Sequence, residues 1–375
     1  MSKPDLLERA LAEHGLPSIS AAVFEDGEVS WTYTAGDARP DTQYAIASVT
    51  KTFVAAALVE LRVDLDEPTR FGTPRQLLSH TSGLQHQLPG EEWGTLVFPA
   101  REEVVARFDE AERVLPPGRF HYSNLGYLVL GELVAERTGK SIEEAIRDLL
   151  LDPHNLRRTT WEPEEPHARG FFHERPERTL VKGGTNASGG LWSTAGDVAR
   201  WGTHLLGLEE LHRPYAHAAW DEAFGLGVEC VRVDGRELWG HEGATVGFRS
   251  ILLYDRDANA GSAVLTNATQ FGGVRALAAS LVPQSSGRRV DEPSPPELEG
   301  ILGSWWSEGI EHRFRWTGRL ESDDAVFVQE APDRFRSAQG HEEGELLRVV
   351  RGEDGRPIEL WWAGYPFRRE PGYSY

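Results

Sequence analysis

The stretch from Tyr44 to Phe53, which reads YAIASVTKTF, carries the signals that decide the fold of this chain. Ser48 is followed three residues later by Lys51, one of only four lysines in a chain with 39 Lys and Arg. The run that continues to Arg62, TFVAAALVELR, is rich in alanine and leucine, which predicts a helix buried on most sides. The sequence therefore predicts a serine at the start of a buried helix, with a lysine one turn further on.

This Ser-x-x-Lys spacing is chemically suggestive. Residues i and i+3 of a helix lie on one face about 5 to 6 Å apart, so Ser48 and Lys51 can approach each other. A serine hydroxyl is a poor nucleophile unless a neighbouring base takes its proton. Lysine can be that base where burial or nearby positive charge lowers its pKa, whereas arginine stays protonated. The alternative is a helix-capping serine followed by an exposed lysine, against which the apolar neighbours Ile46 and Phe53 argue.

Composition narrows the class of protein. A chain of 375 residues predicts two domains, and its net charge of -20 disfavours nucleic acid and anionic membranes as partners. Cys230 is the single cysteine, which excludes an intrachain disulfide and a cysteine-cluster metal site. The first 17 residues are charged and amphipathic, and no apolar run reaches the roughly 20 residues of a membrane span. We expect a cytoplasmic protein without a membrane partner.

The pattern of elements predicts an α+β chain. A hairpin at Asp26-Gly27 and strands between Phe224 and Asn267 lie on either side of a mostly helical region. We expect a first domain over residues 1–285 and a Pro/Ser-rich linker over 286–297. Short aromatic, alternating runs separated by Gly and Asp turns fill residues 298–375, which predicts a small antiparallel β domain, a lipocalin-like barrel or a sandwich.

Two later motifs add groups that can take part in the same chemistry. In FHYSNLGY (residues 120–127), Tyr122 offers a phenol that can carry a proton and Asn124 an amide that can orient substrate and lysine. In LWGHEGATVGF (residues 238–248), His241 stands beside glycines that let a ligand backbone approach. Each motif alone also fits a structural role, as a helix cap, a packing aromatic or a buried histidine.

Together, S-x-x-K at 48–51, Y-x-N at 122–124 and H-x-G at 241–243 resemble the serine hydrolases of the penicillin-binding-protein and class C β-lactamase superfamily. RQLLSHTSGL (residues 75–84) and GGLWSTAGDVARW (residues 189–201) share the resemblance, which covers about residues 5 to 285. It implies a β-lactamase-like fold, an antiparallel sheet flanked by helices with a mostly helical subdomain. His80, within the first of these stretches, is interpreted as stabilising a turn.

The resemblance also implies roles for the motif residues. Ser48 would form an acyl-enzyme, Lys51 and Tyr122 would move the proton, and Asn124 would orient the ensemble. No metal or organic cofactor is required.

The third motif would complete the site. The backbone N–H groups of Ser48 and of Ala244, which follows Gly243, would form an oxyanion hole. His241 stands where penicillin-targeted members carry lysine, a substitution common in the esterase and peptidase branches. Glu242 would oppose an anionic substrate if its side chain faced the cleft, so we expect the group bound nearby to be neutral or cationic.

These features favour a hydrolase or acyltransferase acting on a small-molecule or peptide acyl substrate. The candidates are an intracellular esterase, a D-amino-acid peptidase or amidase, and a biosynthetic transacylase. The alternatives are a β-lactamase or D-alanyl-D-alanine carboxypeptidase and, from another class, a silent sensor that binds an acyl or peptide ligand. The sequence leaves the oligomeric state open.

Overall fold

The computed structural model describes residues 2–284, 293–322, 325–340 and 342–371, and the chain divides after Gln284 into two units. The α-helices of the described chain are α1 (Lys3–His14), α2 (Thr50–Glu60), α3 (Pro74–Leu78), α4 (Glu92–Thr95), α5 (Arg101–Ala106), α6 (Asn124–Thr138), α7 (Ile142–Ile146), α8 (Ala195–Leu206) and α9 (Val274–Leu281). Short 3-10 turns span Ala47–Val49, Phe108–Glu110, Gly183–Ser188, Glu209–Leu211 and Pro296–Leu298, and a π-helical turn spans Arg147–Leu151.

The first unit is built on an eight-stranded antiparallel sheet. Its strands, and those of two short accessory ladders (β3 with β6 and β4 with β5), are β1 (Ser18–Glu25), β2 (Glu28–Gly36), β3 (Tyr44–Ala45), β4 (Phe171–Phe172), β5 (Arg175–Pro176), β6 (Trp192–Ser193), β7 (Ala216–Ala219), β8 (Glu222–Phe224), β9 (Glu229–Val233), β10 (Arg236–Thr245), β11 (Phe248–Asp255) and β12 (Ala260–Thr266). The main sheet runs in the order β2-β1-β12-β11-β10-β9-β8-β7. Asp26 and Gly27 both have positive φ at the predicted β1–β2 hairpin, as a tight hairpin turn requires.

Each face of this sheet packs against its own helices, because strand residues alternate between the two faces. On one face, Leu7 of α1 and Val274 of α9 join a core with Ile251 of β11. On the other face, α2, α6 and α8 pack in a second core that includes Leu252, the next residue of β11. The predicted antiparallel sheet flanked by helices is confirmed.

Helix α2 lies inside the second core. Every residue from Thr50 to Leu58 is buried, so the prediction of a helix enclosed on most sides is confirmed. Phe53 stacks on Trp201 of α8 with ring centroids 4.0 Å apart, and the Trp201 indole N–H donates to Thr52 Oγ1 at 2.7 Å. These contacts hold α2 against α8, which itself packs on the sheet.

Between α2 and α8 the chain forms the mostly helical region that the sequence predicts. The expected capping box at α7 is present, with Ser141 and Glu144 each bonding the other's backbone N–H. Thr194 caps α8 by accepting from the backbone N–H of Asp197. None of the helices in the described ranges combines the length and apolarity that a bilayer span demands.

The second unit is an antiparallel meander that nearly closes into a barrel. Its strands follow one another in chain order: β13 (Gly303–Ser307), β14 (Ile310–Trp316), β15 (Leu320–Glu321), β16 (Val326–Ala331), β17 (Arg334–Gln339), β18 (Leu346–Arg351), β19 (Pro357–Trp362) and β20 (Tyr365–Phe367). Trp306 and Arg368 exchange backbone hydrogen bonds, which brings the last strand back to the first. The predicted small β-barrel is confirmed.

Trp305 and Trp362 are buried in the core of this barrel. Of the predicted linker, residues 286–292 lie outside the described residues. Its last two residues, Pro296 and Glu297, already form a 3-10 turn that carries the buried Leu298.

The packing of α8 on the sheet predicts the effect of Gly202→Ala. A Cβ at Gly202 would lie 2.6 Å from the Phe24 ring and 2.9 Å from Leu252 Cδ1. Alanine favours a helix by about 1 kcal/mol over glycine, but overpacking a core costs about 1 to 3 kcal/mol. We therefore expect a lower midpoint of chemical denaturation. Gly207→Ala, where the Cβ meets only His204 O at 3.5 Å, is the control, and equal midpoints for both variants would contradict this packing.

Candidate active site

Ser48 lies on a constrained turn at the head of α2. The short ladder of β3 with β6 and a hydrogen bond from Ile46 N to Leu191 O hold the chain just before it. Ala47 then adopts a φ of 46°, a left-handed conformation that is unusual for a residue with a side chain. Ser48 is the one residue between 42 and 50 that is not fully buried. The turn therefore presents this hydroxyl to the cleft while its neighbours are held in the core.

Lys51 meets Ser48 as the helical spacing predicts. Its side chain is fully buried, and Nζ donates to Ser48 Oγ at 3.0 Å and to the carbonyl oxygen of Ser188 at 2.5 Å. Burial lowers the pKa of Lys51 well below its ordinary value, and the positive charge of Lys182 lowers it further. A neutral amine at this position can accept the Ser48 proton.

Tyr122 stands on the other side of the nucleophile. Its hydroxyl forms a hydrogen bond with Ser48, and its ring centroid is 5.1 Å from Lys51 Nζ. Burial raises the pKa of Tyr122 well above its ordinary value. The phenol therefore keeps its proton at neutral pH, so Lys51 is the better base and Tyr122 the better proton donor.

Asn124 begins α6 two residues after Tyr122. Its Oδ1 is buried and has no hydrogen-bond partner within the part of the chain described, while Nδ2 lies 3.3 Å from His86 Nε2. A buried carbonyl oxygen without a partner is costly unless a ligand fills that role. Asn124 is thus placed to accept a hydrogen bond from a substrate N–H.

His80 supports Tyr122 from behind. Its ring is buried and stacks on the Tyr122 ring with centroids 4.2 Å apart, and Nδ1 accepts from the backbone N–H of Ser123 at 3.1 Å. The backbone of His80 is left-handed, with a φ of 56°. The turn-stabilising role interpreted from sequence fits this backbone, but no sequence pattern indicated that the ring would hold the tyrosine in place.

The edge of β10 borders the nucleophile turn. Pairing with β9 ends at Gly240, so the segment from His241 to Thr245 has an edge that β9 does not cover. Glu242 directs its backbone N–H toward Glu229 of β9. Ala244 lies two residues further along and directs its N–H to the same edge, because these groups alternate along a strand. This position is compatible with the predicted oxyanion hole, in which Ala244 and Ser48 each supply an N–H.

Gly243 allows β10 to approach this turn. Ser250 of the neighbouring strand donates to Ile46 O at 2.7 Å, which ties the sheet to the residues just before Ser48. A Cβ on Gly243 would lie 2.2 Å from Ser250 Oγ and 2.3 Å from Ile46 O. Any side chain here would have to displace either the strand or the turn.

His241 is buried on the face of β10 that looks toward Tyr122, with the two ring centroids 6.3 Å apart. Its Nδ1 lies 2.6 Å from the carbonyl oxygen of Glu242, which can only accept, so Nδ1 carries the proton. Burial lowers the pKa of His241 to about 3, and the imidazole is neutral. Its buried Nε2 has no partner among the described residues and is therefore an unused acceptor.

Glu242 does not share this face, since adjacent strand residues point to opposite sides of a sheet. Its carboxylate lies 3.6 Å from Arg249 Nη1 and 3.3 Å from Arg275 Nη2. This placement corrects the expectation that Glu242 opposes anionic substrates in the cleft, because two arginines neutralise it on the α9 side.

Sequence reasoning did not single out two charged residues near the site. Glu229 is buried, with Oε1 3.3 Å from His241 Nδ1 and Oε2 3.5 Å from Arg275 Nη2. Lys182 is buried close enough to Lys51 to lower its pKa. Glu229 sits in an ordinary strand pattern without a signal, but the rarity of lysine in this chain was a clue to Lys182.

Comparison with known proteins matches two families. A family model described as Beta-lactamase matches residues 4–284, and one described as a domain of unknown function (DUF7586) matches residues 294–369. Penicillin-binding protein 4 of Amycolatopsis lactamdurans is 27% identical over 369 residues, which covers 79% of this chain and 95% of that protein. The chain spans only 44% to 62% of the length of three other curated relatives.

Two solved structures resemble the first unit. A D-stereospecific amidohydrolase from Streptomyces sp. is 26% identical with a TM-score of 0.64, covering 73% of this chain and 96% of its own. A D-amino acid amidase from Ochrobactrum anthropi SV3 is 27% identical with a TM-score of 0.62, covering 75% of this chain and 97% of its own.

The close approach of β10 to the nucleophile turn predicts that Gly243→Ala lowers activity more than stability. The added methyl would move β10 away from Ser48, and displacing a catalytic group by about 1 Å can cost about 100-fold in rate. We expect kcat/KM on an activated ester to fall by about that factor. Gly272→Ala, where a Cβ meets no atom within 4 Å, serves as the control. Wild-type kcat/KM in Gly243→Ala would contradict the geometry.

The buried carboxyl of Glu229 predicts a pH effect on stability. Burial raises the pKa of Glu229 from an ordinary 4.5 to about 8. The folded chain then holds this proton to a higher pH than the unfolded chain, so this group lowers stability progressively between about pH 4.5 and 8. Glutamine does not titrate, so the melting temperature of Glu229→Gln should improve relative to wild type on going from pH 5 to pH 8.

Glu222 Oε2 also pairs with Arg275, 3.0 Å from Nη1. Glu222→Gln therefore controls for the loss of an ion pair with Arg275. A constant difference between Glu229→Gln and wild type across this pH range would show that Glu229 ionises normally.

Proposed function

Because the chain belongs to the Beta-lactamase family, we propose that this serine hydrolase forms an acyl-enzyme on Ser48 and cleaves amides or short peptides of D-amino acids. The observation that carries the proposal is the buried amine of Lys51, 3.0 Å from Ser48 Oγ. A solvent-exposed lysine at that distance would be protonated and could not act as a base. The amidohydrolase and the amidase described above support the choice of D-aminoacyl amides as substrates.

In the first step, Ser48 Oγ attacks the carbonyl carbon of the substrate while its proton passes to Lys51 Nζ. The carbonyl oxygen becomes an oxyanion, which the N–H groups of Ser48 and Ala244 bind. Donors fixed in place before the reaction stabilise this charge without reorganising, and the loss of one such donor typically costs about 10²- to 10³-fold in rate.

In the second step, the C–N bond breaks and the leaving nitrogen needs a proton. Tyr122 is hydrogen-bonded to Ser48 and keeps its proton, so it can donate to the leaving nitrogen and recover a proton from Lys51. The amine departs and the acyl group stays on Ser48 Oγ as an ester. Water, activated in turn by Lys51, then cleaves the ester and restores Ser48.

The polarity around His241 favours an amide or amine leaving group over a carboxylate. The unprotonated Nε2 can accept from a substrate N–H, whereas a carboxylate there would meet a lone pair instead of a cation. This separates the proposal from a D-alanyl-D-alanine carboxypeptidase or a β-lactamase, whose substrates place a carboxylate in this region. A silent sensor would have no need of a buried amine beside a serine.

The proposal predicts that Ser48→Ala abolishes acylation and leaves the fold intact, because the change removes one hydroxyl. A fluorophosphonate should add to the wild type by a mass seen in the intact protein and should not add to Ser48→Ala. Ser280→Ala, on the exposed side of α9, is the matched control and should label normally. Labelling of Ser48→Ala would overturn the nucleophile assignment.

The same preparations test the substrate class. We expect the wild type to hydrolyse D-alanine p-nitroanilide at least about 10-fold faster than the L form, and faster than it opens a chromogenic cephalosporin or releases the terminal D-alanine from a peptide that ends in D-alanyl-D-alanine. Faster turnover of the last two would instead assign a β-lactamase or a carboxypeptidase.

A further inference from the structure

A cavity lies next to the surroundings of the nucleophile, and neither Ser48 nor His241 lines it. Asn124 and Ser188, which belong to the catalytic surroundings, form part of its wall. Much of the remaining wall is apolar, and Lys182 brings an amine into it. The apolar wall consists of Leu88, Trp93, Phe98, Pro99, Val104, Leu125 and Leu128.

No carboxylate in the described part of the chain pairs with the Lys182 amine. Its residue is only 8% exposed, and its one recorded contact is with the face of Trp93, 5.0 Å from Nζ to the ring centroid. Within the described ranges, no carboxylate or carbonyl accepts a hydrogen bond from it. Glu92, in the same wall, lies 3.5 Å from Arg107.

Lys182 reaches almost to the nucleophile turn. A Cβ built on Gly189 would lie 3.1 Å from Lys182 Nζ and 3.2 Å from the carbonyl carbon of Ala47. Gly189 therefore leaves the space through which the amine approaches the residue before Ser48. A ligand group bound to this amine would lie within a few bonds of an acyl carbon on Ser48.

A buried ammonium without a partner is unfavourable, and proteins normally pair or neutralise it. Burial lowers the pKa of Lys182 to about 8, so most molecules still carry the charge at pH 7. An anionic ligand would relieve this cost with a charge-assisted hydrogen bond. Among biological anions, a carboxylate at the end of a short aliphatic chain suits a mostly apolar cavity in which Arg107, the other cation of the wall, already pairs with Glu92.

The geometry points to Lys182 as the residue that binds a carboxylate on the acyl part of the substrate, so that the preferred substrates are acidic D-aminoacyl amides. The acyl side is assigned because Tyr122, the proton donor to the leaving group, lies beside His241, and neither residue lines this cavity. The inference deepens the proposed function and rests on the acyl-enzyme at Ser48.

The test compares substrates that differ only in charge. D-glutamate p-nitroanilide and D-glutamine p-nitroanilide have side chains of nearly equal size, and a charge-assisted hydrogen bond is worth about 10- to 100-fold in kcat/KM. The wild type should prefer the glutamate substrate by that factor. Lys182→Met should abolish the preference, Lys182→Arg should retain part of it, and Lys140→Met, on an exposed lysine paired with Asp148, should leave it unchanged.

The ratio of the rates on the glutamate and glutamine substrates distinguishes carboxylate binding by Lys182 from a general effect of Lys182 on Lys51. If Lys182 only lowers the pKa of Lys51, Lys182→Met will change both rates by the same factor and the ratio will stay constant, which overturns the inference. An equal rate on both substrates in the wild type would also overturn it.

A second pair of substrates keeps this result distinct from failure of the proposed function. Mono-p-nitrophenyl adipate carries a free carboxylate, whereas methyl p-nitrophenyl adipate does not. Cleavage of the p-nitrophenyl ester in either compound requires only the serine hydrolase activity. If neither anilide is cleaved, the proposed amidase function fails, and the ester pair still reports the Lys182 preference. A loss of that preference in Lys182→Met supports the carboxylate site, and an unchanged preference refutes it.

Discussion

The structure depends on the burial of one amine. Lys51 is enclosed in α2, between the sheet and the helical region, and its Nζ donates to Ser48 Oγ and to the Ser188 carbonyl oxygen. Desolvation disfavours its charged form, so the same packing that stabilises α2 also supplies a base. The core and the chemistry cannot be separated at this residue. A looser core around α2 would readmit water and return Lys51 to its protonated state.

Charge around the nucleophile is arranged asymmetrically. His241 is neutral and presents an acceptor, with Glu229 and Arg275 behind it. Lys182 presents a donor that no acceptor of the described residues engages. If both proposals hold, a substrate binds with its anionic end toward Lys182 and its leaving nitrogen toward His241. Such an arrangement of charge determines the orientation of a bound substrate more than its affinity.

Much of this molecule follows from local sequence. The apolar run after Ser48, the Asp26-Gly27 turn and the alternating C-terminal runs each predict their own element, because helix and strand periodicities are local properties. The face of the sheet on which Glu242 lies could also have been predicted from His241, since adjacent residues of a strand point to opposite faces. The roles of Glu229 and Lys182 could not, because Glu229 meets Arg275 and Lys182 meets Trp93 across long stretches of chain. Only the folded backbone brings such partners together.

Because β9 begins only at Glu229, the edge of β10 that it leaves uncovered would allow the cleft to distinguish enantiomers. A substrate that hydrogen-bonds to the uncovered edge of β10 has its backbone direction and its facing side fixed before any side chain is recognised. Inverting one Cα then exchanges the positions of side chain and hydrogen, so one enantiomer points its side chain at the cavity and the other at the sheet. Selection between enantiomers would thus come from the pairing of β9 with β10, which ends five residues before the end of β10. The side-chain cavity would act only on a substrate that the uncovered edge has already oriented.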